Sequence, residues 1–270
     1  MKFCSVNGIK QNHIPVNDRG LAFGDGSFTT AKVVKGQVVL LDEHIKRLMQ
    51  TCQKLAIKPP AEQNLINQVK KAAHGNDLAV LKVIITAGNG GRGYSRKGLK
   101  DNATSVVVII SEFPTHYPQL AVKGVTLGDS QQLLSVSPML SGLKHLNRLE
   151  QVLIKTELEQ RSEDELVIAN YLGQVIETSS ANIFYFIDDK LHTPDLSLSG
   201  VDGIMRQLLL HHQPQVIISP TSFSDLSKAN SIFICNSLLG IIPVRTYNNR
   251  LLDLTPVLNI QAKMNTICLM

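Results

Sequence analysis

The 270-residue sequence has no tryptophan, only five tyrosines and eight phenylalanines, and four cysteines. The cysteines, at positions 4, 52, 235 and 268, lie far apart without a CxxC pair, which excludes the common zinc spacings. No stretch approaches about 18 uncharged apolar residues, which excludes a transmembrane helix. We therefore predict a cytoplasmic protein with reduced thiols, no metal site and no membrane partner.

Basic residues are in modest excess. The chain has 27 lysines and arginines against 22 acidic residues, which gives a net charge of +5 and a pI near 9.0. Basic proteins often bind nucleic acid, but these residues are spread along the chain and no aromatic residues are interleaved with them. The charge favours a small anionic ligand, or has no specific role, and no nucleic-acid partner is expected.

Segments typical of strands and helices alternate irregularly along the chain. This order lacks the regular βαβ repeat of a doubly wound sheet, so it predicts an α+β fold. Two prolines and weak periodicity around residues 112–120 indicate a linker. We therefore predict two domains, one over residues 1–111 and one over residues 121–270.

Local signals predict where several elements begin and end. Turn-forming dipeptides predict tight turns between strands at Asn7-Gly8 and at Asp188-Asp189. Asp42 is predicted to N-cap a helix over residues 43–55, in which the apolar residues share one face. A second, long helix is predicted over residues 147–161.

A glycine-rich segment, residues 88–93, matches the G-x-G-x-x-G pattern of dinucleotide-binding proteins. That reading requires a helix to follow directly, whereas another glycine and no apolar period follow here. We therefore predict a loop between two strands, in which Arg92 and Tyr94 could contact a ligand. Taken singly, Arg47 on a helix and Glu177 at a strand end are equally well explained as ordinary structural residues.

Five motifs nevertheless stand in a fixed order along the chain. They are Asp18–Phe28 (DRGLAFGDGSF), His44–Leu48 (HIKRL), Lys144 with Arg148, Glu177–Asn182 (ETSSAN) and Gly203–Arg206 (GIMR). Together they resemble the pyridoxal-phosphate enzymes of the D-amino-acid and branched-chain aminotransferase superfamily. The resemblance implies pyridoxal 5'-phosphate as cofactor, a homodimer, and a D-amino-acid aminotransferase-like fold with a small N-terminal α/β domain and a larger C-terminal pseudobarrel domain.

Further stretches are similar to one branch of that superfamily, the aminodeoxychorismate lyases. They are GGRGY at residues 90–94, KHLNRLEQVLI at 144–154, GVDGIMRQ at 200–207, and Cys235–Ser237 followed by Pro243-Val244. This similarity implies a lyase of folate biosynthesis, which converts 4-amino-4-deoxychorismate to 4-aminobenzoate and pyruvate.

The resemblance also implies the roles of individual residues. Lys144 would bind the cofactor covalently and act as general base, and Glu177 would face the pyridine nitrogen. Arg47 would bind the phosphate, because its forked donors suit a dianion. The other implied phosphate ligands are the backbone amides of Ile204 and Met205, and the side chains of Ser237 and Asn236.

The small anionic substrate carries two carboxylates, so cationic and hydroxyl groups are needed near the site. Arg92, Tyr94 and Lys32 are the candidates, although a solvent-facing Lys32 fits the sequence equally well. An aminotransferase on the same scaffold is the nearest alternative function, and a binding protein that has lost its chemistry is a more remote one.

Overall fold

The computed structural model describes residues 1–100 and 103–268, with side chains to residue 264. The chain divides into two compact units, one of Met1–Pro114 with Lys144–Asn147 and one of Thr115–Leu143 with Arg148–Met270. Within the described ranges, no helix is long and apolar enough to cross a membrane.

The first unit contains an antiparallel sheet with strands in the order β2-β1-β6-β5-β3-β4. Helices α2 and α3 cover one face, where Ala31 and Val33 of β3 are buried. Phe28, Thr30 and Lys32 lie on the other face of β3, because successive residues of a strand point to opposite sides of the sheet. The elements are β1 (Phe3–Val6), β2 (Ile9–Lys10), α1 (Arg19–Phe23), β3 (Gly26–Val34), β4 (Gln37–Val38), α2 (Leu41–Lys54), α3 (Glu62–Ala73), β5 (Leu78–Thr86) and β6 (Ser105–Glu112).

Helix α2 packs as its periodicity predicts but begins differently. Ile45, Leu48 and Cys52 are buried on one face against the sheet. The chain enters the helix through Leu40, which has a left-handed backbone (φ 54°) and makes no side-chain cap. The prediction that Asp42 is the N-cap was therefore wrong. Asp42 lies in the first turn, where its negative charge interacts favourably with the positive end of the helix dipole.

The second unit contains a mixed sheet with strands in the order β12-β11-β10-β13-β14-β7-β8-β9, and β15 pairs with β14. The β11–β12, β14–β7 and β7–β8 pairs are parallel. The elements are α4 (Tyr117–Lys123), β7 (Val125–Asp129), α5 (Leu149–Leu158), β8 (Glu165–Ala169), β9 (Val175–Thr178), β10 (Asn182–Ile187), β11 (Lys190–Pro194), α6 (Ile204–His212), β12 (Ile217–Ser219), α7 (Phe223–Leu226), β13 (Ser231–Asn236), β14 (Gly240–Tyr247), β15 (Arg250–Leu251) and α8 (Thr255–Cys268).

The predicted turns are confirmed by their backbone angles. Asn7 (φ 53°) and Gly8 (φ 80°) connect β1 to β2, and Asp188 (φ 47°) and Asp189 (φ 60°) connect β10 to β11. Two adjacent positive φ angles are typical of type I′ hairpin turns. The helix predicted over residues 147–161 is shorter, since α5 spans Leu149–Leu158.

The boundary between the two units differs in two ways from the predicted domains. Helix α4 occupies part of the predicted linker at 112–120, and the break lies between Pro114 and Thr115. The short segment Lys144–Asn147 belongs to the first unit, because Phe28 N donates to Lys144 O (3.0 Å) and Leu146 N donates to Gly26 O (3.0 Å). That the units are independent domains stays a prediction.

Candidate active site

Lys144 lies beside the edge of β3 in the first unit. The backbone bonds to Gly26 and Phe28 hold its segment, and its Nζ lies 4.6 Å from the centroid of the Phe28 ring. A Cβ on Gly26 would collide with Ile85 O and would lie 2.8 Å from Leu146 Cδ1. Glycine is therefore required at position 26, because any side chain there would keep the segment of Lys144 away from β3 and β5.

Two further lysines occupy the same face of this sheet. Lys82 pairs with Thr30 across β5 and β3, and its Nζ lies 4.9 Å from the Phe28 centroid. The side-chain nitrogens of Lys82 and Lys144 therefore both lie close to the Phe28 ring. Lys32 is half-buried on this face, with its Nζ 5.2 Å from the Phe113 ring centroid. Among the described carboxylates, none forms an ion pair with Lys32 or Lys82.

Arg47 is buried on α2 and bound to a hydroxyl. Its Nη2 donates to Thr29 Oγ1 (2.6 Å), and the same hydroxyl lies 2.6 Å from His44 Nδ1. Burial, and then the charge of Arg47, lowers the pKa of His44 to about 3. The imidazole is therefore neutral at pH 7, and Thr29 accepts from Arg47 while donating to His44.

The predicted loop of residues 88–98 is present, and the next element among the described residues is strand β6 rather than a helix. Arg92 is exposed, and the exposed Tyr94 side chain has its ring 5.4 Å from the ring of Phe23. Gly88 has φ 81°, and a Cβ there would collide with the backbone oxygen of Ala103. The loop can therefore enter this conformation only with glycine at that position.

Glu177 lies on β9 in the second unit, where it is 6% exposed. Its Oε2 accepts a hydrogen bond from Val201 N (3.0 Å). Arg148 lies within its electrostatic reach: burial lowers the pKa of Arg148, and the charges of Glu177 and Glu150 partly oppose that shift. The Lys-x-x-x-Arg motif thus ends on an arginine that interacts electrostatically with Glu177, which the sequence does not reveal.

The amino end of α6 is held beside Glu177 by Asn182. Asn182 donates through Nδ2 to Val201 O (2.8 Å) and accepts from Gly203 N (3.1 Å). A Cβ on Gly203 would collide with the Asn182 side chain, so this approach requires glycine. No side chain caps α6, whose first residues are Ile204 and Met205. Their backbone amides therefore present the positive end of the helix dipole.

Asn236 ends β13 and Ser237 follows it, at the same end of the sheet as Asn182, because Asn182 pairs with Cys235. Asn236 Oδ1 accepts from Leu238 N (3.0 Å) and Leu239 N (2.8 Å), and its Nδ2 donates to Ser180 O (3.2 Å). Asn236 therefore holds the turn into β14, and its role as a phosphate ligand stays a prediction. Ser237 is half-buried in that turn.

Comparisons with known proteins identify the family. The class IV amino-transferase model matches residues 26–247, which is most of the chain. The chain belongs to the class IV aminotransferase family.

Two relatives narrow the comparison within this family. An aminodeoxychorismate lyase of Vibrio harveyi is 38% identical over 245 residues, which cover 88% of this chain and 89% of that protein. The crystal structure of 4-amino-4-deoxychorismate lyase from Pseudomonas aeruginosa superposes with a TM-score of 0.89 at 33% identity, covering 96% of this chain and 98% of that one. The predicted α+β, D-amino-acid aminotransferase-like fold is confirmed.

A third comparison extends the fold to a cofactor-bound structure. A hypothetical aminotransferase from Mycobacterium tuberculosis in its PLP-bound form superposes with a TM-score of 0.84 and covers 98% of each chain. At 18% identity this likeness shows the fold alone.

The donor groups of this member of the class IV aminotransferase family fit pyridoxal phosphate. Glu177 is a buried carboxylate suited to a cationic pyridine nitrogen, and the uncapped α6 terminus and the buried Arg47 are suited to a phosphate dianion. Lys144 and Arg47 belong to the first unit, and Glu177 and α6 belong to the second. Gly203 fits this site because it leaves room for the Asn182 side chain, which holds the amino end of α6 in place.

Sequence reasoning missed the groups that support these residues. Lys82 could have been found by pairing β3 with β5, because alternation then places it beside Phe28 and Lys32. Thr29 gave no comparable signal. Arg19 and Asn182 stand in the quoted motifs, but their partners become visible only through the hydrogen bonds of the folded protein.

Proposed function

We propose that this protein is a pyridoxal-phosphate-dependent lyase that converts 4-amino-4-deoxychorismate to 4-aminobenzoate and pyruvate. The observation that carries the proposal is the agreement of two lyases, at 38% and 33% identity over nearly the whole chain, with the donor set described above. The same agreement supports folate biosynthesis as the pathway.

The described residues account for the parts of the cofactor. Lys144 would attach to its aldehyde, Glu177 would hold the ring nitrogen, and Arg47 would bind the phosphate with the α6 amides, Ser237 and Asn236. When bound, pyridoxal phosphate supplies an electron sink next to the substrate amine. The buried position of Glu177 strengthens its charge interaction with the ring nitrogen, because few water molecules compete there.

Lys144 would perform the proton transfer of the reaction. In this proposal its amine takes the proton from the amine-bearing ring carbon of the substrate. The C–O bond to the enolpyruvyl group then breaks, the ring becomes aromatic, and the enol leaving group takes up a proton to give pyruvate. Atoms and electrons balance without an added oxidant or keto acid.

The cationic sheet face provides groups for the two substrate carboxylates. Lys32 and Lys82 lie on this face, and Arg92 and Tyr94 are exposed on the 88–98 loop. Lys82→Met should raise KM for the substrate, whereas Lys70→Met, on the exposed side of α3, should not. Equal KM values in the two variants would show that Lys82 does not bind the substrate carboxylates.

The lyase proposal is tested by turnover without an acceptor. Purified protein loaded with pyridoxal phosphate should be yellow, and with aminodeoxychorismate alone it should release 4-aminobenzoate and pyruvate in equal amounts. Lys144→Ala should abolish both the colour bound to protein and the turnover, whereas Lys70→Ala should keep both. Turnover that requires an added keto acid would instead favour an aminotransferase, and a protein that never binds the cofactor would overturn both enzyme functions.

The homodimer is likewise proposed, and one surface supports it. Leu149, Val152 and Leu153 share one face of α5, with 70%, 57% and 52% of their surfaces exposed. An exposed apolar helix face of this kind is typical of a protein interface. Val152→Glu should shift the sedimentation coefficient from dimer to monomer, while Lys70→Glu should leave it unchanged. A monomeric unaltered protein would refute the dimer.

A cytoplasmic location is proposed from the thiols. Cys4, Cys52 and Cys235 are free in the structure, and the side chain of Cys268 lies outside the described residues. Free buried thiols are typical of a reducing compartment. Cell fractionation with a tagged chain tests the proposal, and recovery in a secreted or membrane fraction would refute it.

A further inference from the structure

We propose that Arg19, Asp25 and Arg96 form a clamp that sets the conformation of the 88–98 loop before the substrate arrives. In this proposal Asp25 and Arg96 are positioning residues: they hold Arg92 and Tyr94 in place without touching the substrate. The consequence for substrate binding rests on the proposed lyase function, whereas the clamp itself stands on the contacts of the first unit.

Arg19 binds the backbone of the loop. Its Nη1 donates to Gly93 O (3.1 Å) and Ser95 O (3.2 Å), and its Nη2 donates to Tyr94 O (2.9 Å). The guanidinium is buried, and a Cβ on Gly91 would lie 2.9 Å from Nη1. One side chain thus fixes successive carbonyl groups at the tip of the loop, and the glycine makes room for it.

Asp25 joins Arg19 to a second arginine. Its Oδ2 accepts from Arg19 Nε (2.7 Å) and from Arg96 Nε (2.9 Å), and Arg96 Nη2 bonds the other oxygen. Burial raises the pKa of Asp25, but the hydrogen bonds from Arg96 and Arg19 outweigh it, so the net pKa is lowered. The carboxylate is therefore charged at neutral pH and binds both guanidinium groups.

Arg96 connects the loop to the helix that carries Arg47. Its Nη1 donates to Leu55 O (2.6 Å) and Ala56 O (2.9 Å), the carbonyls that follow α2. A cation is favoured at this end of a helix by the helix dipole. The clamp therefore ties three parts of the first unit together: the DRGLAFGDGSF motif, the glycine-rich loop and the carboxyl end of α2.

The exposed ring of Tyr94 lies next to the clamp, with the Phe23 ring between it and Arg19. Arg19 Cζ lies 4.9 Å from the Phe23 ring centroid, and the Phe23 and Tyr94 rings are 5.4 Å apart. Glycine at four of the six positions 88–93 would otherwise allow the loop many conformations. Ordering it in advance removes an entropy loss from substrate binding, so loss of the clamp should weaken binding more than it slows proton transfer by Lys144.

A single tryptophan makes the loop visible. The sequence contains none, and Lys97 is exposed in the loop without a predicted substrate role, so Lys97→Trp provides the only tryptophan. In this background of the cofactor-loaded protein we compare Arg96→Ala, Arg96→Lys, Asp25→Asn and, as control, the exposed Asp77→Asn. Arg96 is the milder target, because its side chain is 32% exposed and its removal leaves the Arg19–Asp25 pair intact.

We expect Arg96→Ala to lower the tryptophan anisotropy in the absence of substrate. The same variant should raise KM by roughly tenfold to a hundredfold, as for the loss of one or two charge-assisted hydrogen bonds. It should leave kcat within about threefold of the parent value, because a loss that weakens the binding of substrate and transition state equally raises KM alone. Arg96→Lys should be intermediate, because lysine keeps the charge without the fork. Asp77→Asn should match the parent.

Three outcomes would overturn the clamp. The first is unchanged anisotropy and unchanged KM in a folded Arg96→Ala protein. The second is a raised KM with unchanged anisotropy, which would make Arg96 a direct substrate ligand. The third is a fall in kcat without a change in KM. Circular dichroism of each variant establishes folding, and Arg96→Ala and Arg96→Lys decide the question if Asp25→Asn does not fold. If the parent protein shows no lyase turnover, the proposed function fails while the anisotropy comparison still decides the clamp.

Discussion

Replacing Thr29 with valine would remove one hydroxyl from beneath the predicted phosphate-binding arginine while keeping the side-chain shape. Thr29 is fully buried on β3, and its oxygen lies 2.6 Å from both Arg47 Nη2 and His44 Nδ1. The neutral imidazole and the cationic guanidinium both depend on this hydroxyl, and water cannot replace it at a position with no exposed surface.

The structure sets the size of the effect. One hydrogen bond to a charged group and one to a neutral group are lost, which should lower the free energy of unfolding by about 2–4 kcal/mol. The melting temperature of the cofactor-free protein should therefore fall by roughly 5–15 °C. Since Arg47 loses one of the groups that orient its guanidinium, the dissociation constant for pyridoxal phosphate should rise by about tenfold.

Thermal unfolding followed by circular dichroism and a cofactor titration followed by absorbance would measure these two effects. Thr29→Ser is the matched control, because serine keeps the hydroxyl and loses only a methyl group. Equal melting temperatures and cofactor affinities in the valine and serine variants would refute the reasoning, since the hydroxyl would then have no part in holding Arg47.

Three other predictions concern the same residues and their neighbours. His44→Asn should reduce the fall in unfolding free energy between about pH 6.5 and pH 3, because in that range only the unfolded chain binds a proton at His44. Denaturation at several pH values tests this, and an unchanged pH dependence would contradict the low pKa of His44. Gly200→Ala should lower the unfolding free energy by about 2–4 kcal/mol, since φ is 85° and the new Cβ would collide with Ile176. Gly173→Ala has a similar φ of 74° without any neighbour within 4 Å, so it should show the smaller cost of backbone strain alone, and equal losses would exclude the collision. Glu177→Gln should reduce kcat by roughly a hundredfold or more with little change in cofactor affinity, because a neutral amide cannot hold the ring nitrogen cationic; full activity would exclude Glu177 from that position.

Short-range signals in the sequence predicted their elements well. Asn7-Gly8 and Asp188-Asp189 form the expected turns because their residues tolerate the positive φ angles that hairpins need. The apolar period of α2 predicted its buried face, since that period reflects a single contact surface. The N-cap failed because Leu40 adopts a left-handed backbone that residue type does not reveal.

The candidate site was predictable only where motifs carry it. Lys144, Glu177 and Arg47 stand in recognisable motifs, but these motifs do not reveal which groups support them. Arg96 binds Asp25 across 71 positions of the chain, and no local pattern encodes such a pair. Helix α5 was predicted by position but not by length: it spans Leu149–Leu158, and Ile154 is its one buried residue.

The glycines of the 88–98 loop restrict how this protein could be redesigned for other substrates. Any side chain at Gly88 strikes the backbone of Ala103, and one at Gly91 presses on the Arg19 guanidinium. Mutant libraries that randomise these two positions would therefore yield mostly misfolded loops. Altered selectivity should instead be sought at Arg92 and Tyr94, whose exposed side chains can change size and charge without disturbing the backbone that presents them.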